Sequence, residues 1–293
     1  MTVRYTPIQV QAPEDVASSG LARWMFFGLN GAGKTTLLST IPPEVPTLVI
    51  SADEENVDIL RGMKHIKVIK ITRWSQLGEV YQMLLTKLAD PDVVSGKKRF
   101  FKCVAFDTWT RIQALARNKI VGYEPIDGGA EALKYIDRAP TLPKGFENWQ
   151  QIGALAGEWM RNFCRLPIHA IFLAQEEKLD PKSENDDVRV QMALTKWAVT
   201  EAMTALKLVG RLYVSLEDSE GNVLDALDDK FQIREDVREV RKLLVGSHPI
   251  YKTKGDTQRL GYVVREPTWD KLSRALFVDP VPATTPQKEG TPT

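Results

Sequence analysis

Cysteine and histidine are scarce in this chain: two cysteines, Cys103 and Cys164, and three histidines, His65, His169 and His248, in 293 residues. None of them stands at metal-ligand spacing, which argues against a structural zinc site. Both cysteines sit among apolar neighbours, in FKCVAF and MRNFCRL, and read as small buried hydrophobes in a reducing compartment. No apolar run approaches the length of a membrane span. The first twenty residues contain Glu14 and Asp15 and lack an apolar stretch of leader length. These absences predict a cytoplasmic protein with no membrane partner. A dominant charge is also missing: 39 basic residues face 38 acidic ones, a formal net charge of +1. No global field would draw the chain to nucleic acid, so any such contact needs a local surface. What remains, 43% hydrophobic and 26% charged, is ordinary for a globular chain long enough to bury a sizeable core.

Strand and helix patterns alternate through most of the chain. ARWMFF (22–27) reads as a buried strand ending at Gly28, and Lys34 to Ile41 as the helix after it, stopped by Pro42-Pro43. Thr47–Ile50, Ile66–Ile71, Phe100–Phe106 and Ile168–Ala174 read as further strands. Helical spacing covers Trp74–Leu88, the stretch after Asp107 to about Val121, about Glu147–Leu166 and about Thr195–Leu206. Thr108 or Thr110 would cap the second of these. Such alternation predicts an α/β fold with a mainly parallel sheet and helices on both faces. After residue 206 the pattern changes to a late antiparallel extension: Arg211–Leu216 followed by a turn at Ser219–Asn222, then strands at Val237–Val245 and Pro249–Thr253. A helix over about Thr268–Phe277 closes the fold. Residues 1–20 read as an N-terminal arm, 21–278 as one domain and 279–293 as a disordered Pro- and Thr-rich tail. Within the domain, 91–99 reads as a surface turn, 122–147 as a loop-like insertion, and 176–190 as a polar, mobile segment.

The chemistry is concentrated at strand ends. Gly28-Leu29-Asn30-Gly31-Ala32-Gly33-Lys34-Thr35 joins an apolar strand to a helix, and Thr36 follows. Glycines in such a loop let successive N–H groups turn toward one anion. Lys34 would meet the β- and γ-phosphates of ATP, and the Thr35 hydroxyl would ligate Mg²⁺. Asp107, closing the strand FFKCVAF, would hold Mg²⁺ through water or else cap the next helix. Asp53 or Glu54, at the end of the second strand, would polarise the attacking water, although an acidic turn in solvent has the same composition. Gln175, at the end of IHAIFLA, would sense the γ-phosphate or simply end a buried strand. Lys252 and Lys254, spaced by two, would point the same way on a strand. They would reach a nucleotide on a neighbouring subunit or blunt an exposed edge.

GLNGAGKTT (28–36), LVISADEE (48–55), FFKCVAFDTWT (100–110), HAIFLAQEE (169–177) and the segment from Arg238 to Leu272 resemble the RecA-type core ATPases. The likeness is closest to phage-encoded RecA-like nucleotide-binding proteins, some of which anneal single strands. It implies a RecA-like P-loop core, an acidic residue after the second strand (Asp53 or Glu54), the element Gln175-Glu176, and a late pair, Lys252 and Lys254. It also implies a homo-oligomer that contacts single-stranded DNA through segments matching about 122–147 and 176–190, working with replication or recombination proteins. Tyr123, Phe146 and Trp149 would stack on bases there, and Arg138 and Lys144 would meet phosphates. One departure is that 176–190 carries six acidic residues against Lys178, Lys182 and Arg189. The resemblance therefore predicts an ATP-hydrolysing protein acting on single-stranded DNA. The alternatives are a nucleotide-dependent assembly module with little hydrolysis and a P-loop small-molecule kinase, the latter lacking an Arg-rich lid.

Overall fold

The computed structural model describes residues 20–52, 58–122, 145–179, 189–223 and 237–277, without the side chain of Phe146. The arm up to residue 19, most of the expected insertion and the tail lie outside the described residues, as do Asp53 and Glu54. In chain order the elements are β1 (Arg23–Gly28), α1 (Lys34–Ser39), β2 (Thr47–Ser51), β3 (Ile66–Lys70), α2 (Trp74–Leu88), α3 (Pro91–Val94), β4 (Cys103–Asp107) and α4 (Trp109–Ile120). Then come α5 (Gly145–Arg165), β5 (His169–Leu179), β6 (Arg189–Met192), α6 (Lys196–Ala205), β7 (Leu208–Glu217) and β8 (Arg238–Leu244). The last are α7 (Thr257–Leu260), β9 (Val263–Arg265) and α8 (Trp269–Phe277).

The main sheet runs β3-β2-β4-β5-β1-β7-β8-β9, with β6 pairing only to β5. From β3 to β7 every pairing is parallel. β8 and β9 add in antiparallel fashion. This is the expected α/β architecture with its late antiparallel extension.

Pleating sorts the side chains into two cores, because successive residues of a strand face opposite sides. Trp24, Phe26, Val49, Cys103, Ala105, Ile171 and Leu173 face one side and pack against α1 and α8. Met25, Phe27, Ile50, Val104, Phe106 and Phe172 face the other and pack against α2, α4, α5 and α6. The same alternation, carried one step further along each strand, assigns Ser51, Asp107 and Gln175 to the α1 side at the strand tips.

Local chemistry sets the element ends. Gln76 accepts from the Arg73 and Thr72 amides and starts α2. Thr108 caps α4, accepting from Arg111. Asp90 accepts from Asp92 ahead of Pro91, so the stretch read as a surface turn contains a short helix, α3. Two further expectations need correction. Segment 176–190 is in part a hairpin, because Glu176–Leu179 pairs with Arg189–Met192; its alternation was hidden by charge. Pro249–Thr253 is not a strand: only Tyr251 and Lys254 make isolated bridges, to Val190 and Val209. β7 forms its hairpin with β8, and a buried Glu217 carboxylate ties it to Lys242 and Arg265, each at 2.6 Å.

Buried polar groups also lock the start of β5. Arg23 donates to the carbonyls of Leu166, Ile168 and Ala22. Beside it, His169 Nδ1 accepts from the Ala22 amide at 2.9 Å, and its ring stacks on Phe277. Burial, with Arg23 and Lys102 nearby, pushes the imidazole down to about 4 from an ordinary 6.5. The neutral ring is therefore part of the folded state. Its contribution is complete above about pH 6.5 and is lost as pH falls toward 4. His169→Gln keeps an acceptor but cannot titrate. Urea unfolding at pH 7 and pH 5 should show wild type losing about 1–2 kcal/mol more than the variant over that interval.

Candidate functional site

Register orders the ends of the strands: Phe106 of β4 pairs with Phe172 of β5, so Asp107 comes level with Leu173, ahead of Gln175. Ser51 of β2 pairs with Asp107 of β4, and Gln175 of β5 pairs with Gly28 of β1. β5 lies between β4 and β1 and runs on past Gln175 to Leu179. That loop must pass close to β7: a β-carbon on Gly28 would lie 2.2 Å from the Leu212 carbonyl oxygen. Gly31 and Gly33 have φ of 80° and 88°, a region that strains other residues. Gly28, Gly31 and Gly33 are thus favoured by backbone shape before any chemistry is considered.

Lys34 and Thr35 begin α1. The Lys34 ammonium is buried and donates to the carbonyls of Gly28 and Leu29, both at 2.8 Å. Among the described residues it forms no ion pair. Burial pushes its pKa below the usual lysine range, and Asp107 and Glu176 pull it back up. Thr35 donates its hydroxyl proton to Asp107 Oδ2 at 2.8 Å, across 72 positions of sequence. Asp107 is only 2% exposed.

A triphosphate with Mg²⁺ fits this set. A buried ammonium curled onto its own loop lacks a strong anion, and a phosphate oxygen is the stronger acceptor. Thr35 and Asp107 present adjacent hard oxygens of the kind Mg²⁺ takes. Among the described residues no three His, Cys, Asp or Glu side chains could hold a metal by themselves.

The remaining expected residues fall as follows. Asn30, Gly31, Ala32, Gly33 and Thr36 belong to the loop and the first turn of α1. Gln175 is fixed through its backbone, its amide donating to Thr110 Oγ1 and its carbonyl accepting from Ala193. Asp53 and Glu54 follow Ser51 by two and three positions, outside the described residues. Lys252 is exposed, and its amide donates to Val190 of β6. Lys254 does not point the same way. Its ammonium donates to the carbonyls of Met203 and Leu206 at 2.9 and 2.8 Å, satisfying the C-terminal end of α6 within this chain. The expectation of two cations on one strand is corrected accordingly.

Three features escaped the sequence reading. Arg211 of β7 grips Glu176 through two bonds of 2.7 and 3.1 Å, and the Glu176 side chain is 2% exposed. The Arg211 guanidinium also lies 4.4 Å from the Tyr251 ring, next to Lys252. A lone arginine opening the apolar run RLYVSL was the available signal. Trp197 is exposed and, with exposed Trp149, borders a cavity of about 700 Å³ lined also by Gln113, Glu177 and Leu194. Tyr123, Arg138 and Lys144 lie outside the described residues. Among those residues, no helix is long and apolar enough to cross a membrane.

The sequence model of the AAA domain family matches residues 22–271, most of the chain, and the chain belongs to that family. The phosphate loop and the sheet around it are accordingly a P-loop nucleoside-triphosphatase core, of a kind that binds ATP with Mg²⁺. No curated protein matches the sequence.

Thr35→Val removes the donor to a buried carboxylate while keeping side-chain shape. Urea unfolding of the nucleotide-free protein should show a loss of about 1–3 kcal/mol, whereas Thr36→Val should cost less than about 0.5 kcal/mol.

Proposed function

We propose that this AAA-domain chain is an ATPase of the RecA-like kind, acting on single-stranded DNA as a homo-oligomer in recombination, annealing or replication, as do the phage proteins it resembles. The observation that carries the ATP part is the convergence of Lys34, Thr35 and Asp107 at the C-terminal edge of a parallel sheet, with β5 between the last and the loop.

In the proposed reaction, water attacks the γ-phosphorus and the bond to the β-phosphate oxygen breaks, giving ADP and phosphate. Lys34 leaves its two carbonyl acceptors and holds the β- and γ-phosphate oxygens. Thr35 and Asp107 would hold Mg²⁺, which would supply positive charge beside the phosphates. The base is assigned to Asp53 or Glu54, which follow Ser51 in sequence, and Ser51 itself pairs with Asp107. Gln175 is the γ-phosphate sensor. Its neighbour Glu176 joins Arg211, and Arg211 joins Tyr251, so a change at the β5 tip has a packed route to Lys252. Lys252, exposed, is the cation offered to a neighbouring subunit; Lys254 acts by fixing the segment that carries it. For DNA, Trp149 and Trp197 offer exposed indole faces beside the β5–β6 hairpin, and base stacking on such faces is worth about 1–3 kcal/mol per base.

One observation favours a second reading, an assembly module with little turnover. Asp107 is followed by Thr108, so β4 brings no adjacent carboxylate to act as base.

Phosphate release by the full chain, with and without single-stranded DNA and alongside a sizing measurement, separates the readings. The proposal expects DNA-stimulated hydrolysis by an oligomer and at least a hundredfold loss in Lys34→Ala. It expects Lys252→Ala to lower turnover without weakening ATP binding. A monomer whose activity ignores DNA would contradict the proposal; tight ATP binding without turnover would favour the assembly module.

A further inference from the structure

One cation beside the phosphate loop has no role in the chemistry described so far. Arg241 lies on β8 opposite Val214 of β7, and its side chain reaches the loop. A β-carbon on Gly33 would lie 2.6 Å from Arg241 Nε and 2.7 Å from its Cδ. The arginine stem thus occupies the space that Gly33 leaves open, immediately before Lys34. Nε is buried and has no hydrogen-bond partner among the described residues.

Two nearby carboxylates are engaged elsewhere, and exposed Glu239, which borders the cleft beside Leu29–Ala32, forms no ion pair with Arg241. Glu217 holds Lys242 and Arg265. Glu266 accepts from the Arg241 backbone amide at 3.0 Å. Among the described residues no ion pair to the Arg241 side chain is formed. A buried donor on a charged group is seldom left unmade in a native fold, and a second cation beside Lys34 makes the arrangement less favourable still. Among the described residues neither cation forms an ion pair, and both flank Gly33. A polyphosphate in the loop would satisfy the two together, and a planar guanidinium suits phosphate oxygens.

We infer that Arg241 is a second phosphate-binding cation, holding the polyphosphate of a nucleoside di- or triphosphate from the β8 side while Lys34 holds it from within the loop. This rests on the nucleotide-binding reading above. The antiparallel extension then serves the site directly, because β8 and β9, tied by the Glu217 cluster, fix the position of Arg241.

The test titrates full-length wild type, Arg241→Gln and Arg241→Lys with ribose-labelled fluorescent ATP and ADP in Mg²⁺, with adenosine as competitor. Ligand-free melting is measured alongside. Arg241→Gln should weaken both nucleotides at least tenfold and leave adenosine competition unchanged. Arg241→Lys, which keeps the charge, should lose less. Ligand-free melting should stay level or rise, because the cation removed had no partner. Wild-type affinities in Arg241→Gln, or a lowered ligand-free melting temperature with affinities intact, would overturn the inference and mark Arg241 as packing alone. Loss of adenosine competition in step with ATP would also overturn it, in favour of contact with the base. Failure of the wild type to bind either nucleotide would instead overturn the functional reading itself.

Discussion

The hydrogen bond from Thr35 to Asp107 joins the two halves of the site, and the parallel sheet exists around it in a definite register. Thr35 belongs to the helix after β1, and Asp107 to the end of β4, with β5 between. For those two oxygens to meet, α1 must reach across β5 to the end of β4. Gly28 pairs with Gln175 and Phe106 with Phe172, so β1 and β5 run past the level of Asp107 before the phosphate loop begins. Cys103 and Ala105, small residues on the α1 face of β4, share a core with Leu37 and Leu38 of α1. A one-residue slip of β4 would turn Asp107 to the other face, since side chains alternate along a strand.

The charges around the site divide by whether they have partners. Lys254 closes a helix end, Arg211 holds Glu176, and Lys242 and Arg265 share Glu217. These are internal ties, and they brace the β5 tip and the antiparallel extension. Lys34 has only its own loop carbonyls, and Arg241 Nε has nothing among the described residues. Two cations next to Gly33 that form no ion pair among the described residues suit a ligand that brings several negative charges.

Much of this was legible in the sequence. The hydrophobic period marked α2 over Trp74–Leu88 and the glycine spacing marked the phosphate loop, because both signals are local. Asp107 was legible for the same reason, as a carboxylate ending a buried strand. Lys254 misled because spacing along the chain assumes a strand, and here the backbone turns between two isolated bridges. Arg211, Arg241 and Trp197 went unread for a different reason. Their significance lies in what stands opposite them in space, and no local pattern carries the pairing of β7 with β1 and β8. The hairpin in 176–190 was missed because its charged residues look like a solvated loop.

The most direct measurement is a calorimetric titration of the full-length chain with ATP, once in Mg²⁺ and once in EDTA. Thr35 and Asp107 placed beside Lys34 require one site per chain whose affinity rises at least tenfold with the metal. Absence of binding, or binding indifferent to Mg²⁺, would contradict the account.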